Sequence, residues 1–274
     1  GTVMHTGDWK IDPEPLVGLA TNHQRLEEWG NRGVLAMVCD STNVFADGAS
    51  GSEEAVRDEL SILLAKYPNE RIVFSCFSSN IARVETAILI ARQHGRKVCV
   101  VGRSLERMVE AARQSGYLKE IGTFVDENAA MSLPPEAVMI ISTGSQGEPR
   151  SVLARMAADQ HPYLKLDNRD VIVFSSRVIP GNEKSISTLQ NNLVRKGVKI
   201  VTASEEDIHV SGHPARDELR QMYAWVRPHI LIPVHGEFRH MQEQAKLGLE
   251  CGIPKVVVPE NGTIIRLEKD KPKI

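Results

Sequence analysis

Through the middle of this chain, short apolar runs alternate with longer stretches that carry apolar residues at helical spacing. The runs 71-RIVFSC-76, 97-KVCVVG-102, 138-VMIIST-143, 171-VIVFSS-176 and 198-VKIVTAS-204 are rich in Val and Ile. A strand buried on both faces reads this way, because neither side of its pleat meets water. Between the runs lie 80-NIARVETAILIARQHG-95, 104-SLERMVEAARQSG-116 and 183-EKSISTLQNNLVRKG-197. Each ends in a glycine, which accepts the left-handed backbone that stops a helix. Ser104 is placed to N-cap the second of them. Strands alternating with helices predict an α/β fold, a parallel sheet with helices on both faces.

The two ends of the chain follow a different pattern. The segments 5-HTGDWKID-12 and 34-VLAMVCDSTN-43 each lead to an aspartate, and 228-PHILIPVHGE-237 is an apolar run that leads to a histidine. The stretch 255-KVVVPENGTIIRL-267 reads as a strand with a hairpin-like return. If both ends belong to one domain, the middle is an insertion within it. The expected boundaries are 1–52 and 204–274 for the core and 53–203 for the insertion. The opening residues read as the end of a strand running into a turn, so the expectation is a piece of a longer protein.

Composition narrows the function classes. The chain has 274 residues, and 33 Lys and Arg stand against 35 Asp and Glu. That balance rules out a generally basic nucleic-acid coat but leaves room for a local basic cleft. The four cysteines, Cys39, Cys76, Cys99 and Cys251, form no C-x-x-C pair. They read as buried reduced thiols in a cytoplasmic protein. No apolar run approaches the roughly 20 residues of a membrane span, so no membrane partner is expected.

In parallel sheets, ligands bind at the carboxyl ends of the strands. There the chain is polar and rich in small residues, at 77-FSSNIAR-83, 142-STGSQGEP-149, 175-SSRVIPGNE-183 and 208-IHVSGH-213. Such loops let backbone approach an anion, and N–H groups at a following helix start favour phosphate. No G-x-G-x-x-G and no P-loop pattern is present. Phosphodiester is therefore the natural candidate ligand. Asp and His donors gathered from the two chain ends would suit a hydrolytic zinc or manganese site.

The segments 7-GDWKID-12, 40-DSTN-43, 211-SGH-213 and 234-VHGE-237 occur in the order found in the β-CASP branch of the metallo-β-lactamase-fold nucleases. With 78-SSNIARV-84, 143-TGSQGEP-149, 180-PGNE-183 and 209-HVSGH-213, the chain resembles the bacterial ribonuclease J family within that branch. The resemblance implies a β-CASP domain inserted in a partial metallo-β-lactamase αββα core. It implies a metal-dependent ribonuclease with 5′-to-3′ exonuclease and endonuclease action in RNA processing and decay. Asp8 matches a metal-bridging aspartate and His235 a ligand to one ion. Asp40 and His213 match a pair that handles protons or leaving-group charge, whereas His5 is expected to make only a structural hydrogen bond.

By the same resemblance the substrate grip would come from Ser78, Ser79, Asn80, Arg83, Ser145, Gln146, Gly147, Glu148, Ser176, Gly181, Asn182, Glu183, His209, Ser211 and Gly212. The implied cofactors are two divalent metal ions, Zn or Mn, in the full-length enzyme. The implied partner is single-stranded RNA, and the full-length protein is expected to be a homo-oligomer, a dimer or tetramer. The family's H-x-H-x-D-H motif is absent from this sequence, so the site is expected to be incomplete and the chain inactive alone. Two alternatives stand beside this reading: a β-CASP nuclease acting on DNA, and a non-catalytic α/β module that binds phosphate or a partner.

Overall fold

The computed structural model describes residues 1–119 and 121–268. The chain divides into two compact units, one made of Gly1–Ser52 with Ser211 onward and the other of Glu53–Val210. The first begins with β1 (Thr2–His5), α1 (His23–Arg32) and β2 (Val34–Asp40). The second holds α2 (Glu53–Ala65), β3 (Arg71–Ser75), α3 (Ile81–Gln93), β4 (Lys97–Val101), α4 (Arg103–Gln114) and α5 (Glu127–Ser132). It continues with β5 (Val138–Ser142), α6 (Val152–Ala157), β6 (Asp170–Phe174), α7 (Glu183–Arg195) and β7 (Lys199–Thr202). The chain then returns to the first unit with α8 (Arg216–Val226), β8 (Ile230–Val234), α9 (Phe238–Glu250) and β9 (Lys255–Val256).

The second unit is built on a five-stranded sheet in the order β4-β5-β3-β6-β7, every pair parallel. Its strands are the five apolar runs of the sequence. Alternate residues point to opposite faces. Ile72, Phe74, Met139, Ile141, Val171 and Val173 pack with α2, α3 and α4 on one side. Val73, Ile140, Ile172 and Phe174 pack with α5, α6 and α7 on the other. Each such side chain contributes on the order of 1.5–3 kcal/mol by leaving water, which is why no polar residue interrupts these strands. At the amino end of the sheet the cross-strand pair Arg71 and Asp170 forms a buried ion pair, Nε to Oδ1 2.7 Å and Nη2 to Oδ2 3.0 Å.

Strand order places the loops. The chain leaves β3 toward β4 on one side and leaves β6 toward β7 on the other. The crossovers therefore reverse direction between β3 and β6, the kind of position at which such sheets bind ligands.

The first unit holds a four-stranded parallel sheet, β1-β2-β8-β9. Met37, Cys39 and Leu231 pack against α8 and α9 on one face. On the other, Ala36, Ile230 and Ile232 meet Val257, Ile265 and Leu267, and no described helix joins that cluster. Among the described residues, no helix is long and apolar enough to cross a membrane.

Three local expectations are corrected. Ser104 does not cap α4, which starts one residue earlier, at Arg103, with Gly102 at the N-cap and φ 116°. Among the described residues the 255–267 segment forms no extended hairpin: β9 is two residues long, a turn closes from Thr263 N to Glu260 O, and the return carries a single bridge residue, Arg266. Pro254 and Pro259 flank the strand, and proline has no N–H to give a ladder. Cys251 is exposed, while Cys39, Cys76 and Cys99 are buried with their thiols pushed up to about 12, chiefly by burial. The two compact units divide at 210/211. Residues before that point are held by the second unit, with Ile208 in its core and Ile208 O accepting from Ser175 Oγ at 2.6 Å.

Candidate metal centre

Parallel pairing delivers three loops of the first unit to one edge of its sheet. β1 runs beside β2 with His5 opposite Val38, and β2 runs beside β8 with Asp40 opposite Val234. The next residues of each strand therefore leave the sheet together. They are Gly7 and Asp8 after β1, Ser41 and Thr42 after β2, and His235 after β8. Asp8, Asp40 and His235 each present a ligand atom there, all within 4.8 Å of one another. His235 Nδ1 stands 2.9 Å from Asp8 Oδ1 and 3.9 Å from Asp40 Oδ1.

The four residues of D-S-T-N each have a physical task. Asp40 is wholly buried, and its Oδ2 is 2.7 Å from His213 Nδ1. Its Oδ1 accepts from Thr42 N at 2.9 Å and Thr42 Oγ1 at 2.7 Å. Burial pushes the Asp40 carboxyl up, but the hydrogen bonds from His213 and Thr42 outweigh it, and the net is a lowered pKa. Asp40 is thus a carboxylate, which only accepts, so His213 Nδ1 carries the hydrogen. Ser41 donates from N and Oγ to Val234 O, both at 2.8 Å, tying the turn to the end of β8. Asn43 Nδ2 donates to Ser211 Oγ at 2.6 Å and His213 O at 3.2 Å, which fixes the S-G-H loop.

Two backbone features hold His235 in place. Its φ is 68°, a left-handed conformation that a histidine adopts only when its surroundings enforce it. A Cβ on the following Gly236 would collide with Ser41 Oγ and come within 2.5 Å of His240 Cβ. Only glycine allows the loop to lie so close to the D-S-T-N turn. His5 accepts from Gly7 N at 3.0 Å, a structural bond.

The residues expected to grip substrate divide into two groups. Arg83 is fully buried in the second unit. It donates to both carboxylate oxygens of Glu53 at 3.0 Å, to Ser175 Oγ at 2.6 Å and to Ile208 O at 3.2 Å, and lies 3.5 Å from His209 Nδ1. Buried Gln146 donates to Arg177 O and Ser176 Oγ and accepts from Ile179 N and Asn182 Nδ2. Asn80 caps α3 through Arg83 N, Glu183 accepts from Gly181 N, and Ser211 Oγ accepts from His213 N. Ser145 is buried, and Gly147 approaches Ser185 too closely for a Cβ. These side chains hold the loops in shape. Ser78 and His209 are half-buried, while Ser79, Glu148, Gly181 and Gly212 are exposed at the loop surfaces.

Sequence reasoning assigned Asp40 to proton handling alone, and the structure also places its Oδ1 beside His235 and Asp8 in the candidate cluster. It also missed Gln244 of α9, whose Nε2 donates to Asp40 O at 2.8 Å and supports the aspartate's backbone. A polar residue inside a helix carries no signal of such a task.

Residues 69–193 match the family model described as Ribonuclease J, beta-CASP domain, and residues 197–259 match the Zn-dependent metallo-hydrolase RNA specificity domain. The chain is 46% identical over 267 residues to ribonuclease J of Sinorhizobium meliloti, covering 97% of this chain and 47% of that protein. The chain belongs to the ribonuclease J family. Its two units are accordingly a β-CASP sheet and part of a metallo-β-lactamase-fold core. Ribonuclease J of Mycolicibacterium smegmatis is 40% identical, with 97% and 48% of the two chains covered. Ribonuclease J of Helicobacter pylori is 38% identical, with 93% and 37% covered. The chain therefore spans about half the length of its ribonuclease J relatives, or less.

Proposed function

We propose that this chain carries part of the active centre of a metal-dependent ribonuclease with 5′-to-3′ exonuclease and endonuclease action. Its substrate is single-stranded RNA, cut in RNA processing and decay in the cytoplasm. The observation that carries this reading is the convergence of Asp8, Asp40 and His235, with His213 hydrogen-bonded to the buried member of the three. Two carboxylate oxygens and an imidazole nitrogen fit zinc or manganese. When bound, such ions supply Lewis acidity and lower the pKa of water.

The chain's own residues have distinct parts. Asp8, exposed beside His235, would supply a carboxylate ligand, and His235 would supply an imidazole nitrogen. Asp40 contributes one oxygen to the cluster and fixes the His213 ring with the other. Nδ1 of that ring is committed to Asp40, so the proton exchanged with the leaving oxygen is carried on Nε2. Among the described residues, three donors fall short of the roughly three per ion that two hydrolytic ions need, so the site they form is incomplete. In the second unit, the loops after β3, β5 and β6 grip phosphates through exposed Ser79, Gly181 and backbone N–H groups, while Arg83 and Gln146 hold them in place. In this reading the full-length protein is a homo-oligomer, a dimer or tetramer.

The test is cleavage of labelled RNA and DNA by the full-length protein, with and without a chelator. Metal-dependent cleavage of RNA in preference to DNA supports the reading. Chelator-resistant cleavage, or a preference for DNA, overturns it.

A further inference from the structure

The three loops that carry Asp8, Asp40 and His213 meet at one buried side chain outside the cluster. Glu218 lies in the first turn of α8 and is 2% exposed. Its Oε1 accepts from Ile11 N at 2.8 Å and from Ser50 Oγ at 2.7 Å. Its Oε2 accepts from Ser50 N at 2.9 Å and from Ala215 N at 2.7 Å. Ile11 follows Asp8 in the G-D-W-K-I-D segment, Ser50 lies in the loop that Asp40 opens, and Ala215 follows the S-G-H segment. All four donors are backbone N–H or hydroxyl groups, so both oxygens of the carboxylate are used on loops and none on a cation.

Starting α8 requires only part of this. A glutamate at the third helical position commonly reaches back to the N-cap N–H, and the bond from Ala215 N is of that kind. The next N–H groups are served without Glu218: Arg216 N donates to Ala46 O at 2.9 Å and Asp217 N to Gly48 O at 3.1 Å. The bonds from Ile11 and Ser50 reach across 207 and 168 positions of chain. Ordering such distant loops costs chain entropy, and the buried carboxylate offsets it. Asp8 lies between the end of β1 at His5 and the bond at Ile11 N, so Glu218 fixes the far end of the loop that presents it.

We propose that Glu218 is a positioning residue of the metal centre, holding the Asp8 loop against the Asp40 and His213 loops at the spacing a divalent cation requires. The inference rests on the metal-dependent reading above and adds a residue to it. Loops tied in advance have less freedom to lose when an ion binds, so the tie strengthens affinity for the ion as well as the fold. Glutamine in place of Glu218 offers one acceptor oxygen and one donor amide. Whichever way that amide turns, two of the four donors lose their partner.

The experiment is manganese titration of the full-length protein, followed by the resonance signal of the free ion, in wild type, Glu218→Gln, Ser50→Ala and Val226→Ala. Val226 is a fully buried apolar residue of α8, so its variant reports lost packing without loss of the ties. Each protein is titrated at a temperature where circular dichroism shows it folded. Glu218→Gln should bind manganese about tenfold or more weakly than wild type, the span seen when the outer partners of a metal site are removed. Ser50→Ala removes a single hydroxyl, should fold as wild type does, and should show a smaller loss in the same direction. Val226→Ala should melt earlier yet bind as wild type does. Wild-type affinity in Glu218→Gln, or in Ser50→Ala should Glu218→Gln fail to fold, overturns this inference alone, as does an equal loss in Val226→Ala. Absence of manganese binding by the wild type overturns the metal-dependent reading and this inference with it.

Discussion

His213 Nδ1 lies 2.7 Å from the buried Oδ2 of Asp40, although 173 positions separate the two residues. The other oxygen of the same carboxylate faces Thr42 and His235. One side chain thus joins the candidate metal cluster to the candidate proton carrier. In the full-length protein, His213→Ala should lower RNA cleavage by about 10²–10⁴, the usual span for loss of an acid–base group. Rates measured against pH should lose the limb that reports this group, with KM little changed. A rise in KM at constant kcat would place His213 in substrate binding.

The close approach of Gly236 to the D-S-T-N turn predicts a cost for the smallest added side chain. In Gly236→Ala the new methyl collides with Ser41 Oγ and reaches 2.5 Å from His240 Cβ. Overpacking of this kind costs roughly 1–3 kcal/mol. Urea unfolding should show a lower midpoint at unchanged slope.

Arg83 offers a distinction between positioning and contact. It is buried and its guanidinium is engaged by Glu53, Ser175 and Ile208. Arg83→Ala should lower thermal stability and weaken RNA binding, yet leave the slope of log affinity against log salt unchanged. Loss of a direct phosphate contact would reduce that slope by about one unit.

A pH effect follows from Arg71 and Asp170. Burial raises the Asp170 carboxyl, and the Arg71 guanidinium, which favours the ionised form, offsets this only in part. A raised carboxyl binds its proton more tightly when folded, so this group loses stability as pH climbs from 3.8 through its folded value. In Arg71→Met that offset is gone, and an uncompensated buried carboxylate costs about 3–5 kcal/mol at neutral pH. The gap in stability between variant and wild type should therefore narrow as pH falls. A gap independent of pH would contradict this.

Much of the second unit was legible because its strands are buried on both faces, and burial leaves an unbroken Val and Ile signature in the sequence. Helix ends were less so: Gly102, not Ser104, is the N-cap of α4, a choice made by backbone geometry that residue type alone does not reveal. Segment 255–267 carries apolar residues suited to a hairpin, but Pro254 and Pro259 leave no ladder to extend. The motif residues stood out as a set without showing which touch solvent. Arg83 and Gln146 read like ligand groups because they are polar in glycine-rich loops, and the fold uses them to pin those loops. Asp40's second task rests on where its two oxygens point, which emerges only when β2 and β8 pair.

The central claim is that Asp8, Asp40 and His235 hold a divalent cation and that His213 does not. Manganese titration of the chain, followed by the resonance signal of the free ion, tests it in wild type, His235→Ala and His213→Ala. The account predicts weak binding of at most one ion per chain, abolished in His235→Ala and retained in His213→Ala. Binding that survives His235→Ala, or that disappears with His213→Ala, would contradict it.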